Sequence, residues 1–451
     1  MPKSFNLIRS LTEQRDQEVI IWLFNIGAEK YWNAVAAGVT DRTENRIVNR
    51  VEEMNVLLCR EQDVMIIREL PDEQLLEQLS DWGFSIPQFR VPAGVETDPD
   101  TPIAELVLQD EELCAELAHL AAQRHNTVFV PYAVTEIEEK IAARCGLVIP
   151  HASSDICAAI NDKIANRLLA LQLGLPVCAG EICSSIAEIE EVYTRLTSTP
   201  PYFTKVIIKD PFGASGKGLY IIEDKTRLQA LLNRLNRAAR NRPESRWLVE
   251  GWYSKKADLN YQVYVAPNGE IDVFSIKQQV LRDTVYIGSV MPPELDDATL
   301  TQIQAYGTTI GKRLFELGYS GVAGIDAIIT DNDELMPIIE INGRFTLSTY
   351  ISFVDRILGK AIRFSRYFRI QSDHKLSYRE LVMKLKEADL AYDHGSGRGV
   401  LLYTAGSLPL RQDEATGRYT GRMFVLLCGS SREEVEALNN RLEQFVSRNL
   451  V

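Results

Sequence analysis

The sequence predicts an α/β (α+β) protein in three parts: a parallel-sheet domain over 1–150, a central α+β domain over 151–372, and a small α+β tail over 373–451. Three observations predict it. In the first third, short apolar runs alternate with amphipathic helical segments, the pattern of a parallel sheet with helices packed on it. In the middle, strand-like runs follow one another across turn signals, and APNGEI (266–271) carries the Asn-Gly pair of a tight hairpin. The chain closes on a regular helix with Ser431 as N-cap and acids in its first turn. With 451 residues, 45% hydrophobic and 25% charged, the composition is that of an ordinary globular protein. The length fits about three domains.

Taken in order, EVIIWLFNIG (18–27) reads as a buried strand ending at a glycine turn, and MNVLLCR (54–60) and DVMIIREL (63–70) read as two more strands. DEQLLEQLSDWGF is a helix with an acidic start. TVFVPYAVT and EIEEKIAARCGLVI repeat the strand–helix rhythm. The second part opens on AAINDKIANRLLALQLGLPV, where Ile164, Leu168, Leu169 and Leu171 form the expected apolar stripe. Gly174 and Pro176 end that helix. After VIIKDPFGASGKGLYII (206–222) come a basic helix and the strands RWLVEGWY, NYQVYVA and EIDVFSIKQQV. A long helix over 296–318 precedes the strands AGIDAIIT and LMPIIEIN, and a helix from about 349 to 368 is expected to close this part. In the tail, SYRELVMKLKEADLAYD reads as a helix and RGVLLYTA and RMFVLLCG as strands.

A net charge of −13 and a pI near 5.1 weigh against nucleic-acid binding, which needs a concentrated basic surface. The basic segment LLNRLNRAARNRPESR (231–246) reads as the exposed face of a helix. No apolar run approaches the roughly 18 residues that cross a membrane, and the first residues lack a secretory signal. A cytoplasmic location without a membrane partner is therefore expected. Seven scattered cysteines, with no CxxC pair, suggest neither a disulfide framework nor a zinc site. No Ser/His/Asp or Cys/His arrangement suggests a side-chain nucleophile.

Two segments carry chemistry. Gly213, Gly216 and Gly218 surround Lys217 between two short strands. A P-loop requires GxxxxGK, then Ser or Thr, then a helix; here Gly218 and a strand follow the lysine, so that reading fails. The loop is either a phosphate cradle built from backbone N–H groups or an ordinary hairpin turn. In GIDAIITDNDELMPIIEINGR (324–344), Asp326 lies in one strand and Glu340 and Asn342, two apart, share a face of the next. Oxygen donors converging there suit Mg²⁺, and Arg344 on the same face can grip a phosphoryl oxygen. A surface hairpin with solvated acids accounts for Asp331 and Asp333. It does not account for Glu340, set among Ile338, Ile339 and Ile341, because a buried unpaired carboxylate is costly. Lys209 at a strand end and Lys163 at a helix start complete the set.

In order, NDK…GLPV, VIIKDPFGASGKG, WLVEGWY, KQQV, GYSGVAGIDAII and IIEINGRF resemble the ATP-grasp superfamily over roughly residues 155–350. The resemblance implies an ATP-grasp fold with an N-terminal pre-ATP-grasp domain and ATP held between two lobes, the lid spanning about 180–255. It implies that Lys163 and Lys209 contact the phosphates and that Gly213, Ala214, Ser215, Gly216 and Gly218 cover them. Glu250, Gly251, Trp252 and Tyr253 would be the adenine hinge, although a second acid is common where Gly251 and Trp252 stand. Gln279 would lie near ribose or phosphates. Asp326, Glu340 and Asn342 match the ligands of two Mg²⁺ ions, with Mn²⁺ as a substitute. Arg344 and Lys209 would act at the transferring phosphoryl group. Ser348 and Thr349, beside Arg344, would hold a substrate carboxylate, or else simply cap a helix.

The flanks FNIGAEKYW, VPYAVT, HGSGRGVLLYTAGSLP and GRMFVLLCGSSREEVEAL are similar to the pheganomycin-type peptide ligases, a microbial natural-product branch. That similarity implies a carboxylate–amine ligase acting through an acyl phosphate on small amino-acid or peptide substrates, in a family where homodimers are common. His394 is a candidate base or a plain loop histidine. The alternatives are capture by a carrier-protein thiol, with the 234–246 arginines as the docking patch, a non-catalytic ATP-binding protein, and a carboxylase-like enzyme, for which no biotinyl MKM sequence is present.

Overall fold

In the computed structural model, which describes residues 5–32, 42–95, 100–123, 127–213, 218–239, 245–282, 285–413 and 416–450, apolar runs become buried sheet strands. In the first part, β1 (Ile20–Leu23), β2 (Val64–Ile66), β3 (Gln88–Arg90) and β4 (Val128–Pro131) form a parallel sheet in the order β3-β2-β1-β4. β1 is buried throughout, as its uninterrupted apolar sequence requires. The helix Glu136–Cys145 starts on a Thr135–Glu138 capping box and stops at Gly146, which takes a left-handed conformation.

The expected strand MNVLLCR is instead the end of a buried 3₁₀ helix, Arg50–Leu57. An apolar run buried on all sides does not reveal its own period. Arg50 decides it: its guanidinium reaches Glu52 at 3.3 Å and Glu53 at 3.2 Å, the latter one helical turn away.

β5 (Gly180–Cys183), β6 (Val206–Lys209), β7 (Leu219–Ile222) and β8 (Trp247–Gly251) form a small antiparallel sheet in the order β5-β8-β6-β7. Helices Ile186–Ser198 and Lys225–Ala239 pack on it.

The remaining strands share one sheet: β9 (Lys255–Val265), β10 (Ile271–Arg282), β11 (Val285–Met291), β12 (Gly321–Thr330), β13 (Leu335–Asn342), β14 (Ile362–Ser372), β15 (Gly399–Leu402), β16 (Arg411–Gln412) and β17 (Tyr419–Gly429). Their order is β13-β12-β9-β10-β11-β14-β17-β15, with β16 against β17. The expected helix over 349–368 is therefore corrected. Two short helices, Leu347–Tyr350 and Asp355–Leu358, end at Gly359 (φ +73°), and β14 follows between β11 and β17. Phe364 and Phe368, four apart, mimic a helix stripe, but both are buried from a strand.

The stripe expected on the helix Lys163–Gln172 is also corrected. Leu168 and Leu171 are 42% and 51% exposed, and the buried face carries Lys163, Ile164, Asn166, Arg167, Leu169 and Ala170. That face sets the apolar core residues Leu169 and Ala170 beside the polar groups Lys163, Asn166 and Arg167. All seven cysteines are free and buried. No helix among the described residues is long and apolar enough to cross a membrane.

Candidate active site

Antiparallel pairing of β12 with β13 sets Asp326 opposite Glu340 and Gly324 opposite Asn342. On the other side, Asp326 faces Asn260 of β9, which in turn faces Lys277 of β10. One row across the sheet thus carries Lys277, Asn260, Asp326 and Glu340 on a common face. Asn260 Nδ2 and Gln279 Nε2 donate to Asp326 Oδ1 at 2.8 and 3.0 Å. Burial, followed by the charge of Glu340, pushes the Asp326 carboxyl up to about 7. Two carboxylates held side by side in this way call for a cation. Lys163 supplies one: its Nζ lies 2.9 Å from Glu340 Oε1 and donates to Gly213 O at 2.8 Å.

A second ion cluster lies under the small sheet. Glu250 Oε2 is 2.6 Å from Lys209 Nζ, and Glu250 Oε1 is 2.7 Å from Arg167 Nη1. Arg167 also donates to the carbonyls of Cys178 and Gly180. All three charged groups are buried. At Lys209, burial acts to lower the pKa, but the adjoining Glu250 reverses this and the net shift is upward. Both oxygens of Glu250 are committed to these two cations, and the backbone of the segment that follows is tied down as well. Gly251 N donates to Ala179 O, Trp252 N to Lys205 O, and the Tyr253 hydroxyl accepts from Ala179 N. A Cβ at Gly251 would lie 2.6 Å from the Phe203 ring, which explains why no second acid stands there.

The glycine loop is closed at its base by Asp210 N donating to Gly218 O at 2.8 Å, with Gly218 at φ +76°. Ala214, Ser215 and Gly216 lie outside the described residues. Arg344 is buried. It donates to Asn342 Oδ1, to Phe345 O and to the hydroxyl of Tyr132 at 2.9 Å, so a residue from the end of β4 positions it. Asn342 thereby spends its amide oxygen on Arg344, and Asn342 Nδ2 lies 3.4 Å from Asp326 Oδ2.

The structure thus gathers Lys163, Glu340, Asp326, Asn342, Gln279 and Arg344, and holds Lys209 with Glu250. Gln279 bonds to the carboxylate of Asp326. Thr349 is committed elsewhere: it completes a capping box with Thr346, and its hydroxyl donates to Gln262 Oε1 at 2.6 Å. The geometry therefore favours the capping alternative for Thr349. Ser348 is buried, with no hydrogen-bond partner for its hydroxyl among the described residues. His394 lies 6.4 Å from the Tyr392 ring in a groove lined by Gln78, Trp82, Lys386 and Asp389, on elements that carry no site residue.

Sequence reasoning missed Arg167, Asn260, Gln262, Lys277 and Tyr132. Arg167 was findable, one helical turn after Lys163. Asn260 with Gln262 and Lys277 with Gln279 alternate as polar pairs on otherwise apolar strands. Lys277 is fully buried and donates to Ser275 Oγ, Ser348 O and Ser352 Oγ; burial lowers it to about 7. No trio of His, Cys, Asp or Glu among the described residues forms a metal cluster. The candidate set offers the two carboxylates of Asp326 and Glu340, hard-oxygen donors that fit Mg²⁺ completed by phosphate oxygens, while the amide oxygen of Asn342 is turned to Arg344.

Three family models match the chain. Residues 51–147 match the Pre ATP-grasp domain, 183–342 the model described as L-aspartate--L-methionine ligase, ATP grasp, and 380–442 the PGM1 C-terminal domain. The chain is 26% identical over 439 residues, covering 94% of each chain, to a [butirosin acyl-carrier protein]--L-glutamate ligase of Niallia circulans. It is 23% identical to an L-propargylglycine--L-glutamate ligase of Streptantibioticus cattleyicolor, covering 73% of this chain and 76% of the relative. The fold is similar to the biotin carboxylase domain of Hydrogenobacter thermophilus 2-oxoglutarate carboxylase in complex with MgADP, with a TM-score of 0.57, 13% identity, and coverage of 96% of this chain and 90% of that one. It is also similar to N5-carboxyaminoimidazole synthetase from Staphylococcus aureus complexed with ADP, with a TM-score of 0.54, 12% identity, and coverage of 95% and 98%. With these matches on the same elements that assemble the carboxylate–lysine site, the chain belongs to the ATP-grasp superfamily, as an ATP-dependent carboxylate–amine ligase.

Proposed function

We propose that this ligase joins the carboxylate of an amino acid to the amine of a second amino acid or peptide through an acyl phosphate, in microbial natural-product biosynthesis. The observation that carries the reading is the pairing of Asp326 with Glu340 beside Lys163, with Arg344 on the same strand-to-loop segment. The substrate carboxylate attacks the γ-phosphorus of ATP, ADP leaves, and the amine then displaces phosphate from the acyl carbon. Lys163 and Lys209 steady the phosphates, exchanging Glu340 and Glu250 for phosphate oxygens. Arg344, steered by Tyr132 and Asn342, neutralises charge on the transferring group. Mg²⁺, most simply two ions with Mn²⁺ able to replace them, supplies charge neutralisation at Asp326, Glu340 and Asn342 when bound. The glycine loop excludes water that would hydrolyse the acyl phosphate.

The working division of the chain is 1–150, 151–372 and 373–451, with a cytoplasmic location. A homodimer is the assembly to test by sedimentation. Transfer to a carrier-bound acceptor is a second reading, favoured by the relative that acts on an acyl-carrier protein and covers 94% of this chain.

The test is ADP release with Mg²⁺ and ATP across single and paired amino acids, including L-glutamate. ADP release that needs a particular pair, yields the amide by mass spectrometry, and falls by at least about a hundredfold in Glu340→Ala is expected. Tight nucleotide binding with no turnover on any pair or carrier would favour a non-catalytic protein.

A further inference from the structure

Two neighbouring rows of the large sheet carry polar side chains on the face that holds Asp326. One row is Lys277, Asn260, Asp326 and Glu340, and the other is Ser275, Gln262, Gly324 and Asn342. Residues 346–352, which begin two positions after Arg344, are fastened to both rows. Lys277 holds the far end of this turn through Ser348 O and Ser352 Oγ. Gln262 holds the near end. Its Nε2 donates to Thr346 Oγ1 at 3.1 Å, and the Thr349 hydroxyl donates to its Oε1 at 2.6 Å. Gly324 lets the turn come this close: a Cβ there would lie 2.7 Å from Thr346 Cγ2 and 3.0 Å from Gln262 Nε2.

Gln262 also reaches the other row. Its Nε2 donates to Asn260 Oδ1 at 2.6 Å, and Asn260 Nδ2 donates to Asp326 Oδ1 at 2.8 Å. One charge fixes the direction of every bond in this chain. A carboxylate oxygen only accepts, so Asn260 must turn its Nδ2 to Asp326 and its Oδ1 to Gln262. Gln262 must then donate to Asn260, which turns its Oε1 to Thr349 and makes the Thr349 hydroxyl a donor. Asn260, Gln262 and Thr349 are all buried, so a partner lost here leaves an unpaired polar group. Asp326 Oδ1 is filled by Asn260 and by Gln279 at 3.0 Å, whereas Oδ2 has Asn342 Nδ2 at 3.4 Å.

We propose that Gln262 is a positioning residue for the ligase reaction. Through Asn260 it holds Asp326 with Oδ1 committed to the sheet and Oδ2 left for a divalent cation. Through Thr346 and Thr349 it holds the turn that follows Arg344. The cation site and the arginine are thus set by one hydrogen-bonded unit. The proposal rests on the reading of Asp326 as a Mg²⁺ ligand.

The test is Mn²⁺ binding to the full chain in the presence of ADP, followed by the electron paramagnetic resonance signal of free Mn²⁺, with thermal melts beside it. Asp326→Asn is expected to weaken Mn²⁺ binding and so to mark the site. Gln262→Met keeps the length of the side chain and breaks the link at both ends, and is expected to weaken binding about tenfold or more. Thr349→Val, at a residue whose hydroxyl bonds Gln262 rather than Asp326, is expected to weaken it by less, and Thr349→Ser, which keeps the hydroxyl, to recover most of that loss. Gly324→Ala, which pushes the turn off Gln262, is expected to act like Thr349→Val. In the Gln262→Met background, Thr349→Val is expected to add nothing, because both cut the same link. A merely structural role would lower the melting temperature of these variants and leave Mn²⁺ affinity unchanged. That result in Thr349→Val and Gly324→Ala would overturn the proposal, whether or not Gln262→Met folds. A loss confined to Asp326→Asn would likewise overturn it and leave the cation-site assignment standing. No Mn²⁺ binding, or binding unaffected by Asp326→Asn, would overturn that assignment and the proposal with it.

Discussion

Glu250 holds two cations, Lys209 and Arg167, with one carboxylate. The sequence shows Glu250 and Lys209 as polar residues at strand ends, but not that they meet, because β6 and β8 pair only in three dimensions. Lys277 was less legible still. A lone lysine in a strand normally points to water, and here it is sealed against Ser275, Ser348 and Ser352. Its depressed folded value, about 7, has a definite sign. Below pH 7 both folded and unfolded chains hold the proton and the buried charge is a liability. Between about 7 and the unfolded value near 10.4 the unfolded chain binds more protons, so stability rises with pH, by up to about 1.4 kcal/mol per unit. Lys277→Met is expected to flatten that slope in urea melts taken from pH 7 to 10.

Elements were legible where their pattern had one interpretation. The hairpin β12–β13 was placed correctly, because Asp326, Glu340 and Asn342 alternate among isoleucines and DNDE closes a short turn. β14 was not, because IRFSRYFRIQS carries apolar residues at both two- and four-residue spacing, and only its neighbours β11 and β17 decide between them. The hinge belongs to the same scale. Gly251 is fixed by the ring of Phe203 rather than by any need for unusual dihedrals. Gly251→Glu, which adds an acid beside Glu250, is expected to destabilise by about 1–3 kcal/mol through overpacking and to raise KM for ATP. The double variant Gly251→Glu with Phe203→Ala is expected to recover part of the KM effect, since the ring is the obstacle. Thermal melts and ADP-release kinetics check both.

Across the whole molecule, the attachments of the first part to the rest of the chain were not legible. Glu53 accepts from the backbone of Ala405 and Gly406, which joins the buried 3₁₀ turn to the tail. Phe345 N donates to Tyr132 O while the Tyr132 hydroxyl takes Arg344, so the pre-ATP-grasp domain directly reaches the arginine proposed to act on the phosphoryl group. No local periodicity encodes a contact between residues this far apart. Tyr132→Phe removes one charge-assisted hydrogen bond, worth about 1.5–3 kcal/mol. It is expected to lower kcat roughly ten- to a hundredfold with little change in KM for ATP. A matching loss of ATP affinity would show instead that Tyr132 supports binding.

The nine-stranded sheet crosses the sequence boundary at residue 372, because β14 lies before it and β17, its partner along the whole strand, lies after it. For recombination between relatives, the tail is therefore not a cassette. A chimera that swaps residues 373–451 alone must marry a foreign β17 to a resident β14. A crossover near Gly359, ahead of β14, keeps the eleven-residue β14–β17 pairing parental and moves the seam to the shorter, four-residue pairing of β14 with β11. Lineages that exchanged acceptor preference by exchanging tails would be expected to carry their crossover scars there.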